Sequence, residues 1–168
     1  MSAPSRADLE RLSERWLPRA EELEAFGDRW VRAWNEHDLD ALDAMVTDDV
    51  RWDDPAMRGA TAEGRDEFRE FAQLFVDAFP DVEVRAVGAP LLALDGRTFA
   101  VRSRMTGTFA GELRPWRKAP DAMPPLPPTG RRFDIRAVDV YELRDGKVAD
   151  WTLVYDLLEF GRQIAGSG

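Results

Sequence analysis

Three stretches in the second half of the chain alternate apolar and polar residues with a period of two, and they constrain the fold more than any other feature. From Phe99 to Phe109 the odd positions are Phe, Val, Ser, Met, Gly and Phe, with Arg102, Arg104, Thr106 and Thr108 among the even ones. From Phe133 to Leu143 the odd positions are Phe, Ile, Ala, Asp, Tyr and Leu. Ala149, Trp151, Leu153 and Tyr155 follow after the segment Arg144-Asp145-Gly146-Lys147. Successive side chains of a strand point to opposite faces, so each stretch predicts a strand with one apolar face. The Asp-Gly pair predicts a tight hairpin between the last two. Shorter alternations put Val50, Trp52 and Asp54 on one face of another strand and begin a further one at Val82, Val84 and Ala86.

The first half has helical spacing instead. Arg6 to Leu17 carries Leu9, Leu12, Trp16 and Leu17 on one side and is interrupted at Pro18. Glu21 to Asn35 repeats Leu23, Phe26, Trp30, Val31 and Trp34, and Asp66 to Phe79 repeats Phe68, Phe71, Ala72, Phe75 and Phe79 before Pro80. A short helix over Leu39–Val46 is capped by Asp38 and followed by an acidic turn, Thr47-Asp48-Asp49. Helices first and long strands after predict an α+β domain with helices packed on an antiparallel sheet. Residues 1–20 read as a helical extension and 21–168 as one domain. The segment Leu113–Arg132, with Pro115, Pro120, Pro124, Pro125, Pro127 and Pro128, fits neither element. It reads equally as a lid over a pocket mouth or as an ordinary surface loop or subunit contact.

Composition narrows the function classes. The net charge of −9 disfavours nucleic acid and anionic membranes as partners, because both require a basic footprint. No apolar run approaches the ~18 residues of a membrane span, and no signal peptide is visible, so a cytoplasmic location is the expectation. Without cysteine there is no disulfide or thiolate chemistry, and the single histidine, His37, precludes a multi-histidine metal site. His37 reads as a solvated residue at a helix–helix turn. No glycine-rich phosphate loop occurs, Gly111 and Gly130 lying alone, so neither metal nor other cofactor is expected.

Two carboxylates fall on faces otherwise apolar: Asp54 at a strand end and Asp139 in mid-strand. A buried carboxylate persists only if hydrogen-bonded, paired or protonated. Asp54 precedes Pro55, where aspartate commonly closes a turn, whereas a turn role is unavailable to Asp139. Desolvation lifts a carboxyl pKa towards neutrality, which makes both candidates for acid–base catalysis, one as base and one as protonated donor. Trp30, Trp34, Trp52, Met105, Tyr141, Trp151 and Tyr155 are candidate substrate-binding walls, with ordinary core packing as the alternative for each aromatic.

The run RWVRAWNEHDLDALDAMVTDDVRWDDP, then GRDEFREF, FPD, PPTGRRF and VYELRDGKVADW, resembles the nuclear transport factor 2-like superfamily, whose cystatin-like fold implies a cone-shaped curved antiparallel sheet wrapped around N-terminal helices, and within it the SnoaL-like polyketide cyclases and the ketosteroid isomerases. The likeness spans Glu21 to Gln163. By resemblance to the isomerases, Asp54 takes the place of the proton-shuttling aspartate and Asp139 that of the protonated aspartate of the oxyanion hole, while Trp30 replaces the oxyanion tyrosine. The cyclases are closer in the PPTGRRF segment and the C-terminal helix, but Leu153 stands where they, and the limonene epoxide hydrolases, carry a catalytic aspartate. The hydrolases' Arg-x-Asp pair falls on Arg102 and Arg104. The resemblance implies a small-molecule isomerase or cyclase of polyketide or terpenoid secondary metabolism, of the kind that makes antibiotics. It would work by cofactor-free acid–base catalysis on a small apolar or polyketide-like substrate and pair as a homodimer through the open sheet face. A non-catalytic ligand-binding or dimerisation module is the alternative, and an epoxide-opening hydrolase or cyclase the second.

Overall fold

The structure, a computed structural model, describes residues 5–121 and 123–165. Helix α1 (Arg6–Trp16) opens with a capping box in which Ser5 and Asp8 satisfy each other's backbone N–H groups. A short 3₁₀ turn containing Pro18 joins it to α2 (Ala20–Asn35), which buries Phe26, Trp30, Ala33 and Trp34. Helix α3 (Leu39–Ala44) is capped by Asp38, as its sequence predicts. It ends two residues earlier than expected, and the Thr47-Asp48-Asp49 turn does not exist. Those residues belong to β1 (Val46–Asp53), because Val46 and Val50 are fully buried and draw the chain into the sheet. After β2 (Ala62–Glu63), α4 (Arg65–Ala78) turns Phe68, Phe71 and Ala72 into the core. β3 (Glu83–Ala86) and β4 (Leu91–Leu92) precede the long strands β5 (Thr98–Thr108), β6 (Arg132–Arg144) and β7 (Lys147–Tyr155), and α5 (Leu157–Ile164) follows. The β6–β7 turn is the tight hairpin predicted, with Asp145 and Gly146 both at positive φ.

The sheet order is β2-β1-β7-β6-β5-β3, with β4 added to β5, and the helices lie on one open, curved sheet. It departs from a purely antiparallel arrangement at one place: β1 runs parallel to β7, with Trp52 opposite Trp151. Their indoles stack at 4.4 Å and 10°. The pair ties the chain's first strand to its last and puts both tryptophans on the core face.

The proline-rich segment packs against two helices. Leu113 bridges Leu126, Trp116 is buried edge-on against Phe71 of α4, and Arg117 and Lys118 pair with Glu67 and Glu70 on that helix. Its far end is anchored where Thr129 donates to the carbonyl of Ile164 in α5. It straps two helices from outside, and none of its described residues lines the cavities below.

Candidate active site

Between α2 and the inner faces of β5, β6 and β7 lies a small chamber of about 40 Å³. All nine residues singled out from the sequence line it: Asp54, Asp139, Trp30, Trp34, Trp52, Met105, Tyr141, Trp151 and Tyr155. Period two explains the strand residues, since Ser103 and Met105 share one face of β5 and Ala137, Asp139 and Tyr141 one face of β6. Helical spacing explains Trp30 and Trp34, one turn apart on α2.

Asp139 is 5 % exposed and accepts from three donors. Ser103 Oγ lies 2.5 Å from Oδ2, Trp151 Nε1 lies 3.2 Å from Oδ1, and the Tyr141 hydroxyl also bonds the carboxyl. Tyr141 in turn accepts from Trp30 Nε1 at 3.0 Å. Burial pushes the Asp139 pKa up and outweighs the three donors, which pull it down. Burial also lifts the Tyr141 hydroxyl well above the usual tyrosine value, with the neighbouring Asp139 charge adding to it. The indole at position 30 therefore acts on Asp139 through the phenol of Tyr141, two residues along the same strand.

Asp54 does close a turn, its Oδ1 accepting from the Ala56 amide at 2.7 Å to start the short 3₁₀ turn Pro55–Met57. It does more than that. The same oxygen accepts from Tyr155 Oη at 2.9 Å, and the carboxyl lies deep enough that burial pushes its pKa up to about 6. The Ala56 and Tyr155 hydrogen bonds oppose that rise, and the Asp139 charge adds to it, so Asp54 feels Asp139 across the chamber. Among the described residues, neither pairs with an arginine. Tyr155 is held neutral by burial and by Asp54.

A second, larger cavity of about 930 Å³ runs between α1, α2 and strands β3 to β5. Leu12, Trp16, Leu23, Phe26, Leu92 and Phe99 give it apolar walls. It meets the inner chamber along Trp30, Val84, Ser103, Asp139 and Tyr141, so Asp139 faces both spaces while Asp54 faces the inner one alone. The mouth is framed by α1, whose end is pinned by Trp16 Nε1 to the Ala93 carbonyl at 2.8 Å and by Arg15 to the carbonyls of Leu94 and Asp95.

Some candidates lie elsewhere. Arg102 and Arg104 are on the outer sheet face, where Arg104 pairs with Asp134. His37, at positive φ, bonds the Val82 carbonyl through Nε2 at 3.2 Å and lines neither cavity. Ser103 was legible as the one hydroxyl in the apolar row of β5, but nothing in the row alone paired it with position 139. Leu12, Trp16 and Phe99, walls of the outer cavity, carried no signal beyond ordinary core periodicity. Among the described residues, no three His, Asp or Glu side chains gather as a metal site, and no helix is long and apolar enough to cross a membrane.

Comparison with known proteins agrees with this architecture. The SnoaL-like domain family matches residues 28–151. No curated protein matches the sequence. Among solved structures, a candidate polyketide cyclase from Xanthomonas campestris superposes with a TM-score of 0.69 at 20% identity, over 86% of this chain and 98% of that one. A candidate SnoaL-like polyketide cyclase from Jannaschia superposes at 0.64 and 20% identity over 100% of both. A protein of ketosteroid isomerase-like fold from Catenulispora acidiphila, in complex with trimethylamine, does so at 0.65 and 17% identity, over 83% of this chain and 91% of that one.

Proposed function

The chain belongs to the SnoaL-like domain family, and from that premise we propose that it is an enzyme performing cofactor-free acid–base chemistry, isomerisation or ring closure, on a small apolar molecule. The observation that carries this reading is the pair of buried carboxyl groups with raised pKa values around one aromatic-walled chamber. With a pKa of about 6, Asp54 is ionised in roughly nine molecules of ten at pH 7, which suits a general base. Asp139, surrounded by indoles and a phenol and raised in pKa by burial, takes the acid role: once protonated it donates to an oxygen that gains charge in the transition state.

The substrate lies in the larger cavity, which is of the size that takes drug-sized ligands, and presents a polar oxygen to Asp139 and Ser103 at the common wall. Trp30 and Tyr141 support that wall; the remaining aromatics exclude water and keep the acids' pKa values high. Solved neighbours named for polyketide cyclisation support a cyclase-type reaction in secondary metabolism. An Arg-assisted epoxide opening is less well supported, because Arg102 and Arg104 lie on the far face and Leu153 lines the chamber in place of an acid.

The test is a carboxyl-carbon NMR titration of the two aspartates. The expected midpoints are near 6 for Asp54 and above the ordinary 3.8 for Asp139. Ordinary values for both would remove the catalytic reading and leave a binding module.

A further inference from the structure

The outer cavity has a polar inner end and an aromatic track leading away from it. Ser103, Asp139 and Tyr141 stand where it meets the inner chamber. Apart from Ser103 and Asp139, every buried residue described in its lining is aromatic; the charged ones, Glu24, Asp28, Arg32 and Arg85, are exposed. On the sheet side, Tyr141 stacks on Phe99, its partner across β5 and β6, at 5.2 Å, and Phe99 meets Trp16 edge-on at 6.3 Å. On the helix side, Trp30, Phe26 and Leu23 follow at successive turns of α2, and the seven residues between the first and last span about 10 Å. Both tracks end on α1, where Leu12 and Trp16 lie one turn apart on the same face.

This end of the cavity is fixed. Trp16 Nε1 donates to the Ala93 carbonyl at 2.8 Å, Arg15 to those of Leu94 and Asp95, and Arg19 Nη1 to that of Gly96 at 2.7 Å. All four carbonyls belong to the turn between β4 and β5. Gly96, at positive φ, lets the turn close on the Arg15 stem, since a Cβ there would lie 2.9 Å from that of Arg15. Helix α1 also precedes residues 28–151, the part of the chain that matches the SnoaL-like family, so this wall is added to the matched portion.

We propose that α1 is the specificity-determining wall of the outer cavity, with Leu12 and Trp16 setting how long a fused-ring ligand can be when its oxygen lies at Asp139 and Ser103. A short ligand occupies the track beside Tyr141 and Phe99 and never reaches α1; a longer one packs its far ring on Leu12 and Trp16. The inference rests on the substrate occupying the outer cavity with its oxygen at the common wall, and it assigns that substrate to apolar ring systems with an oxygen at one end.

The experiment uses the full chain and two fluorescent probes, 2-naphthol with two fused rings and 1-hydroxypyrene with four. The wild type is expected to bind both. Leu12→Trp, which fills the cavity from a half-buried position, is expected to weaken hydroxypyrene about tenfold or more and to leave naphthol within about twofold. A helix that only supports the fold changes both probes alike. In the wild type, NMR should show magnetisation transfer from hydroxypyrene to the Leu12 methyls and the Trp16 ring, and from naphthol to Tyr141 and Phe99 only; this readout stands even if the variant does not fold. Equal effects on the two probes, no effect on either, or a wild type that binds no hydroxypyrene or binds it away from Leu12 overturns the proposal. If the probes are discriminated as expected while Asp54→Asn is fully active, the catalytic reading falls and this inference stands. If Asp54→Asn abolishes turnover while Leu12→Trp fails to discriminate, this inference alone falls.

Discussion

Asp54 sets stability against activity at a single carboxyl. Its pKa of about 6 in the folded protein exceeds the ordinary 3.8, so the folded state holds this proton more tightly than the unfolded chain does. Stability from this group is therefore greatest below pH 3.8, falls as pH rises, and levels off above 6; the loss is about 3 kcal/mol at roughly 1.4 kcal/mol per unit. Asp54→Asn keeps an oxygen for Ala56 and Tyr155 but cannot ionise. Urea unfolding at several pH values should show the variant gaining on the wild type by up to about 3 kcal/mol between pH 4 and pH 7.5. A pH-independent difference would contradict the burial of this carboxyl. The same variant should lower turnover at least ~10²-fold, the weight of a general base. Tyr141→Phe strands the Trp30 N–H and takes a donor from Asp139, at a cost of about 1–3 kcal/mol. The Asp139 midpoint should rise in the same titration.

At the scale of elements, what the sequence revealed followed from periodicity, and what it hid followed from packing between distant segments. Period two placed Trp52, Asp139, Tyr141 and Trp151 on inward faces, because a half-buried strand leaves that signature however it is paired. It carried no information on the direction of β1, whose parallel pairing with β7 depends on Trp52 meeting Trp151. Thr47-Asp48-Asp49 has turn composition but lies in a strand, since Val46 and Val50 on either side are buried deeply enough to override local preference. The prolines between Leu113 and Arg132 announced irregular backbone; only the contacts of Trp116, Arg117 and Lys118 revealed which side of the molecule it covers. Trp116→Ala should therefore reduce stability by about 3–5 kcal/mol, as for a buried tryptophan truncated. It should leave the Asp54 and Asp139 titrations unchanged. A shift in either would favour the lid reading of this segment.

For the molecule as a whole, the main core cluster runs from Trp16 in α1 through α2, α3 and α4 to Trp151 and Leu153 in β7. A cluster that spans the chain in this way should melt as one unit, so tryptophan fluorescence and far-ultraviolet dichroism should give coincident urea transitions. Separate midpoints would mean that α1 or the strap unfolds on its own. The parallel β1–β7 pair has a further consequence during biosynthesis. A nascent chain leaves the ribosome with Trp30, Trp34 and Trp52 already made, yet Trp151, which stacks on Trp52 and packs against the rings of the other two, lies on β7 and emerges after all the other strands. Until then these indoles have no completed sheet to pack on, and exposed apolar surface of that kind is what holdase chaperones bind. Translation halted before β7 should yield a product retained by such chaperones, and one that acquires its active site only when the final strand is supplied.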